Sequence, residues 1–189
     1  MSRIIALSRP YTCVFGAPVL NAVDPQIFAL RYFTRCMACG FCGDDCCSHG
    51  VDIDTDNAKR VAALLGISEA DHFTDTPTAD AEFPSGSYIR TKVKNGKCVF
   101  HITGGRGCSI HAHCAENGLD YHLYKPMVST LFPVTFENGL LCASSEAVDG
   151  SLICSGDGPS LYEGAREELA YYFGAAFVAE ADAIRAASV

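Results

Sequence analysis

The segment CMACGFCGDDCC, Cys36 to Cys47, places five cysteines in twelve residues. Cys36, Cys39, Cys42 and Cys46 follow the spacing C-x-x-C-x-x-C-x-x-x-C. Two residues between thiolates let both sulfurs reach one centre from a single tight turn, and Gly40 and Gly43 free the backbone to make it. Bacterial ferredoxin loops share this spacing, with a proline after the fourth cysteine; here Cys47 stands in that place. A tetrahedral zinc site needs only four of these sulfurs. Soft thiolates suit zinc and iron–sulfur clusters alike, so residue type leaves both open. The competing readings are a redox dithiol and a set of buried thiols. A closed disulfide framework is disfavoured, because eleven cysteines is an odd number.

A second block follows. Cys98, Cys108, His111, His113 and Cys114 fall within seventeen residues. On a short helix His111 and Cys114 lie three apart, with Cys108 just before it, so the three can share a side. Cys98 fits a ligand and a plain buried thiol equally. A Cys108–His111 pair would be the start of a nucleophilic site, given an orienting group. His49, next to the cluster, reads as a surface imidazole, with a ligand or ligand-supporting role as the alternative; His72, His101 and His122 read as ordinary imidazoles, and Cys13, Cys142 and Cys154 as core residues. No G-x-S-x-G elbow, P-loop or H-E-x-x-H helix is present. Gly104-Gly105-Arg106-Gly107 lacks a Walker lysine and reads as a flexible connection that lets Cys108 approach a metal.

These side chains need elements to position them. Pro25 opens a short helix over QIFALRYF. Asp54 or Thr55 caps a helix with Val61, Leu64 and Leu65 on one face, ended by Gly66. SYIRTKVKNGKCVFHI predicts a hairpin around Asn95-Gly96, with Val93 opposite Cys98, Thr91 opposite Phe100 and Ile89 opposite Ile102. Ser109 is the expected cap of a helix closing at Gly118. Pro126 and Pro133 bracket a turn-like MVSTLF, and VTFENGLLCAS predicts a second hairpin around Asn138-Gly139. SGDGPS reads as a loop. Ser160 and Glu163 form a capping box before a long C-terminal helix, with Leu161, Ala165, Leu169 and Tyr172 on one stripe and a bend at Gly174. Hairpins and helices without βαβ alternation predict an α+β fold.

Composition narrows the partners. The 189 residues are 49% hydrophobic, enough to bury a core, and carry a formal net charge of −8. Such a chain repels nucleic-acid phosphates and anionic lipid surfaces. No stretch reaches the roughly 18 apolar residues of a membrane span. The opening apolar run Ile4–Leu7 is broken by Arg9 and Pro10, so an export signal is not expected, and the expected location is cytoplasmic. There a strained vicinal Cys46–Cys47 disulfide is disfavoured.

With these residues in view, the chain resembles the YkgJ-type cysteine-cluster family of zinc- or iron-chelating domains. The matching pieces are CMACGFCGDDCC with SHGVDI, then KCVFHITGGRGCSIH, then YKPMVSTLFP, in the family's order over roughly Arg35 to Pro133. The resemblance implies that Cys39, Cys42, Cys46, Cys47, Cys98 and Cys108 fall on or near family cysteine positions. Ser129 stands where the family has its last cysteine, and a hydroxyl is a poor ligand for a soft metal. Cys36, Cys114 or Cys142 can replace it, or the site has one thiolate fewer.

The expectation is therefore a single α+β domain over 1–189, small, irregular and metal-centred, with β-hairpins and several helices. Its cysteine-cluster core covers about 35–133 and its C-terminal helical part about 160–187. The expected metal ligands are Cys36, Cys39, Cys42, Cys46, Cys47, Cys98 and Cys108. They would hold an iron–sulfur cluster (4Fe-4S), placed ahead of Zn2+, for electron transfer or as an accessory to another enzyme. The expected partner is another protein, with no nucleic acid and no membrane span. The alternatives are a structural zinc module for protein interaction and a cysteine-dependent enzyme.

Overall fold

The computed structural model describes residues 3–33 and 41–188, and its mixture of helices, several small sheets and a long C-terminal helix is α+β. In chain order the elements are β1 (Ile5–Thr12), β2 (Val19–Val23), α1 (Gln26–Ala29), β3 (Arg31–Tyr32), a 3-10 turn (Asp45–Ser48), β4 (Asp52–Asp54), α2 (Thr55–Leu65), α3 (Glu69–His72), β5 (Thr78–Ala79), β6 (Ser87–Arg90), β7 (Val93–Lys94), β8 (Lys97–Cys98), α4 (Ser109–Glu116), a second 3-10 turn (Tyr121–Leu123), α5 (Met127–Leu131), β9 (Val134–Glu137), β10 (Leu140–Ala143), α6 (Ser145–Asp149), β11 (Ser155–Ser160) and α7 (Leu161–Ser188). Contacts divide the chain into two units: Arg35–Thr130, and Met1–Thr34 together with Leu131–Val189. No helix among the described residues is long and apolar enough to cross a membrane.

The unit formed by the two ends of the chain is built on a four-stranded sheet of order β1-β2-β10-β9. Asn138 and Gly139 hold φ of 52° and 74°. Positive φ at both central residues is what a two-residue hairpin turn requires, and Leu140 pairs with Glu137 across it as expected. SGDGPS is not a free loop. It forms β11, whose ends pair with β3 at Ser155–Tyr32 and Ser160–Arg31 while the four residues between bulge out; Arg31 Nη1 donates to the Gly158 carbonyl at 2.7 Å. The Ser160–Glu163 capping box forms in both directions, at 3.0 and 3.2 Å.

Helix α7 buries Leu161, Ala165, Leu169 and Tyr172, and it breaks at Gly174, where φ is 84° and ψ is 167°. That region of backbone space is reserved for glycine. The break is a reversal rather than a bend. Arg166 Nη2 meets Asp182 Oδ2 at 2.7 Å, Tyr162 Oη donates to Asp182 Oδ1 at 2.7 Å, and Arg185 pairs with Glu163. In a straight helix, residues twenty apart would be separated by about 30 Å. The two halves therefore run antiparallel.

The Arg35–Thr130 unit has its own core of Ile53, Ala58, Val61, Ala62, Phe73, Ile89, Phe100, Ile110 and Cys114. Helix α2 contributes three of these from its inner face. Asp54 caps it, accepting from the N–H groups of Asp56 and Asn57, and Gly66 closes it with φ of 63°. Asp54 Oδ2 also accepts the Ser85 N–H at 2.7 Å, tying the loop before β6 to the start of the helix.

The Asn95-Gly96 turn has both φ angles positive, at 54° and 75°, and Val93 pairs with Cys98 as expected. The longer register does not follow. Strand β6 pairs instead with β4 and β5, which sets Ile89 opposite Ile53. Both isoleucines are buried there, whereas Val93 at the hairpin tip is 45% exposed. Burial of apolar surface, about 1.5–3 kcal/mol for a large side chain, outweighs extension of a local hairpin.

Candidate metal centre

Of the seven expected ligands, Cys36 and Cys39 lie outside the described residues. The other five lie on three stretches of the Arg35–Thr130 unit. Cys42 precedes the 3-10 turn, Cys46 and Cys47 are within it, Cys98 ends β8, and Cys108 sits at the N-terminus of α4. Cys42, Cys47, Cys98 and Cys108 are free thiols.

Electrostatics ties the stretches together. The adjacent Cys46 thiol, donating a hydrogen bond, pulls Cys47 below the ordinary thiol range, while burial and the nearby Cys108, Cys98 and Asp44 oppose it. Burial pushes the Cys108 thiol up, against the N–H groups of His111 and Ile110 and the charge of Lys125. The Cys108 side chain makes no cap hydrogen bond to the helix. Cys108, not Ser109, is nevertheless the N-cap, because its backbone is still extended at φ −105° and ψ 126°. Cys98 donates to Thr91 Oγ1 at 3.3 Å. Cys42 is 8% exposed, and Arg106 Nη2 donates to its sulfur at 3.4 Å.

The group that organises these stretches is Asp44. Its side chain is 3% exposed. Oδ1 accepts from Arg106 Nε at 3.0 Å and Nη2 at 2.8 Å, and Oδ2 accepts from His101 Nε2 at 3.0 Å and the Gly107 N–H at 2.9 Å. Burial would raise the carboxyl, but these hydrogen bonds and the Arg106 charge outweigh it and hold it at about 2. The Asp44 carbonyl accepts from Lys97 Nζ at 3.0 Å, and the same ammonium reaches Ser48 Oγ at 3.0 Å. At the far end of the cysteine turn, Arg90 Nη2 donates to the His49 carbonyl at 3.1 Å.

Gly104–Gly107 is correspondingly not a flexible connection. Ile102 N–H bonds to the Gly107 carbonyl at 3.1 Å and Ser109 N–H to the Phe100 carbonyl at 2.7 Å, pinning its base, while Arg106 pins its tip. Asp44, Lys97, His101 and Arg106 carry no ligand spacing. His101 reads in the sequence as an ordinary imidazole, and the glycines around Arg106 draw attention away from it. The one available signal was an aspartate inside a glycine-rich cysteine turn, where a left-handed backbone is tolerated.

Other candidates separate from the cluster. Cys114 is fully buried in the core. The His111 ring is exposed and packs on Tyr121 at 4.5 Å between centroids. His49 is exposed. Cys13 and Cys154 are buried, and Cys142 is half-buried in β10 opposite Thr135.

An all-sulfur donor set suits a soft metal such as zinc or iron. Among the described residues, no group of three or more His, Cys, Asp or Glu is already arranged to hold an ion. Comparison with protein-family models, curated proteins and solved structures gives no match to this chain.

Proposed function

We propose that the Arg35–Thr130 unit is a metal-binding module. Its thiolates hold an iron–sulfur cluster in preference to Zn2+, and the protein serves electron transfer or assists another enzyme in the cytoplasm. The observation that supports this most is that one polar network around Asp44 joins the three separate chain segments carrying Cys42, Cys46 and Cys47, Cys98, and Cys108, through Lys97 and the Gly107 N–H. The resemblance of CMACGFCGDDCC and KCVFHITGGRGCSIH to the YkgJ-type family points the same way. Under this reading Cys42, Cys46, Cys47, Cys98 and Cys108, with Cys36 and Cys39, hold the metal. A bound iron–sulfur cluster supplies one-electron chemistry, and zinc a fixed structural centre.

The chain's own groups set the surroundings. Arg106 offers a cationic N–H to the Cys42 sulfur. Hydrogen bonds to sulfur and burial are the levers that tune such a centre. Burial of Cys108 and the raised thiol that results disfavour it as a free nucleophile at neutral pH.

The test is anaerobic purification with iron and zinc determination. A brown protein absorbing near about 400 nm with stoichiometric iron supports the cluster. Colourless protein with one zinc per chain supports the structural zinc module. Absence of both metals refutes the proposal.

A further inference from the structure

The three described cysteine segments share a feature that ligand spacing does not explain: beside each lies a residue of one polar network. Asp44 stands two residues before Cys46, Lys97 one before Cys98, and Gly107 one before Cys108. Asp44 accepts from Arg106, His101 and the Gly107 N–H through its carboxylate, and from Lys97 through its carbonyl. Its backbone sits at φ 56°, an uncommon left-handed position for a residue with a side chain. Such a conformation persists when surrounding contacts over-determine it. On the other side of the network, Phe100 and Ile110 anchor the same segments in the core.

We propose that Asp44 and Arg106 form a latch that holds the three cysteine segments together before a metal binds, with Arg106 positioning the Cys42 sulfur. The latch consists of protein groups alone: a buried carboxylate, a guanidinium, an imidazole and a backbone N–H. Arg106 Nη2 reaches both Asp44 Oδ1, at 2.8 Å, and Cys42 Sγ, at 3.4 Å, so one planar group fixes the sulfur relative to the carboxylate. Segments already held near one another lose less freedom when their sulfurs close on a metal, so binding is tighter. Small zinc modules that are unfolded without metal are the opposite design. The role of the latch rests on the metal-binding reading, but its existence is tested separately.

The experiment uses the full chain, reduced and stripped of metal by a chelator. Amide exchange is read at Gly107, followed by titration with Co2+ and the thiolate-to-cobalt absorption. In the wild type, the Gly107 amide is expected to be protected before any metal is added. Asp44→Asn should speed its exchange at least about tenfold and weaken Co2+ binding by about 10–100-fold, the usual range for residues that orient ligands. Arg106→Ala should weaken Co2+ binding and shift the charge-transfer band. Arg106→Lys should not restore them, since a single ammonium does not present the planar fork. Rapid Gly107 exchange in the metal-free wild type overturns the proposal, as does an Asp44→Asn chain that binds Co2+ like the wild type. If Asp44→Asn loses amide protection throughout α2, Arg106→Ala decides: an unchanged affinity and spectrum overturn the positioning role. If the wild type takes up no Co2+, the zinc-type site is refuted, the same titration is read by iron–sulfur reconstitution instead, and Gly107 exchange still decides the latch.

Discussion

Asp44 and Asp182 each accept two hydrogen bonds from one arginine, yet they stand in opposite surroundings. Asp182 lies on the C-terminal helical hairpin, where its side chain is 38% exposed and that of Arg166 is 47% exposed. Asp44 is 3% exposed, and it takes two further bonds from His101 and Gly107. Water screens the first pair, and holding two mobile side chains together offsets part of its attraction. The second carboxylate is cut off from water and depends on its partners for solvation, so removing either side leaves a buried group unsatisfied. The same chemistry therefore trims the geometry of the hairpin in one unit and holds the cysteine turn closed in the other.

The contrast sets an order of effects. Asp44→Ala should destabilise the Arg35–Thr130 unit by about 3–5 kcal/mol, as breaking a buried pair does. Amide exchange across α4 and α2 measures this without assuming that the two units unfold together.

Acid acts on the same group. Its carboxyl is held at about 2, below the ordinary 3.8. A lowered carboxylate contributes stability that is complete above its ordinary value and fades as pH falls through the folded value. Acidification from roughly pH 5 to pH 2 should remove about 2 kcal/mol from this unit. That component should be missing from a pH titration of Asp44→Asn.

In the other unit, Gly174→Ala should cost about 1–3 kcal/mol from backbone strain alone, since an added Cβ meets nothing within 4 Å. Thermal unfolding checks it. The smallest effect is expected at the surface: a double-mutant cycle between Arg166 and Asp182 should give a coupling of about 0.2–1 kcal/mol that shrinks in high salt. A cycle energy as large as the Asp44 loss would erase the contrast between the two sites.

What the sequence makes legible here is what neighbours in the chain decide. The Asn95-Gly96 and Asn138-Gly139 turns, the Asp54 cap, the Ser160–Glu163 box and the interruption at Gly174 are local, and each forms. Choices between distant partners are not legible in the same way. Strand β6 leaves the hairpin for β4 because Ile53 and Ile89 bury together. Gly174 announces a break, but contacts between distant residues, Arg166 and Tyr162 with Asp182 and Arg185 with Glu163, show it to be a reversal. At the candidate site the cysteines stand out by type and spacing. Asp44 does not, because its partners lie 53 to 63 residues away and include a backbone N–H that any residue could provide.

The central claim is that sulfurs from the cysteine turn, β8 and the start of α4 serve one metal. It is tested most directly by metal analysis of the anaerobically purified full chain, compared with a variant carrying Cys47→Ala and Cys108→Ala. The account predicts iron, or else zinc, in stoichiometric amount in the first and its loss in the second. Neither metal in the first, or undiminished metal in the variant, would contradict it.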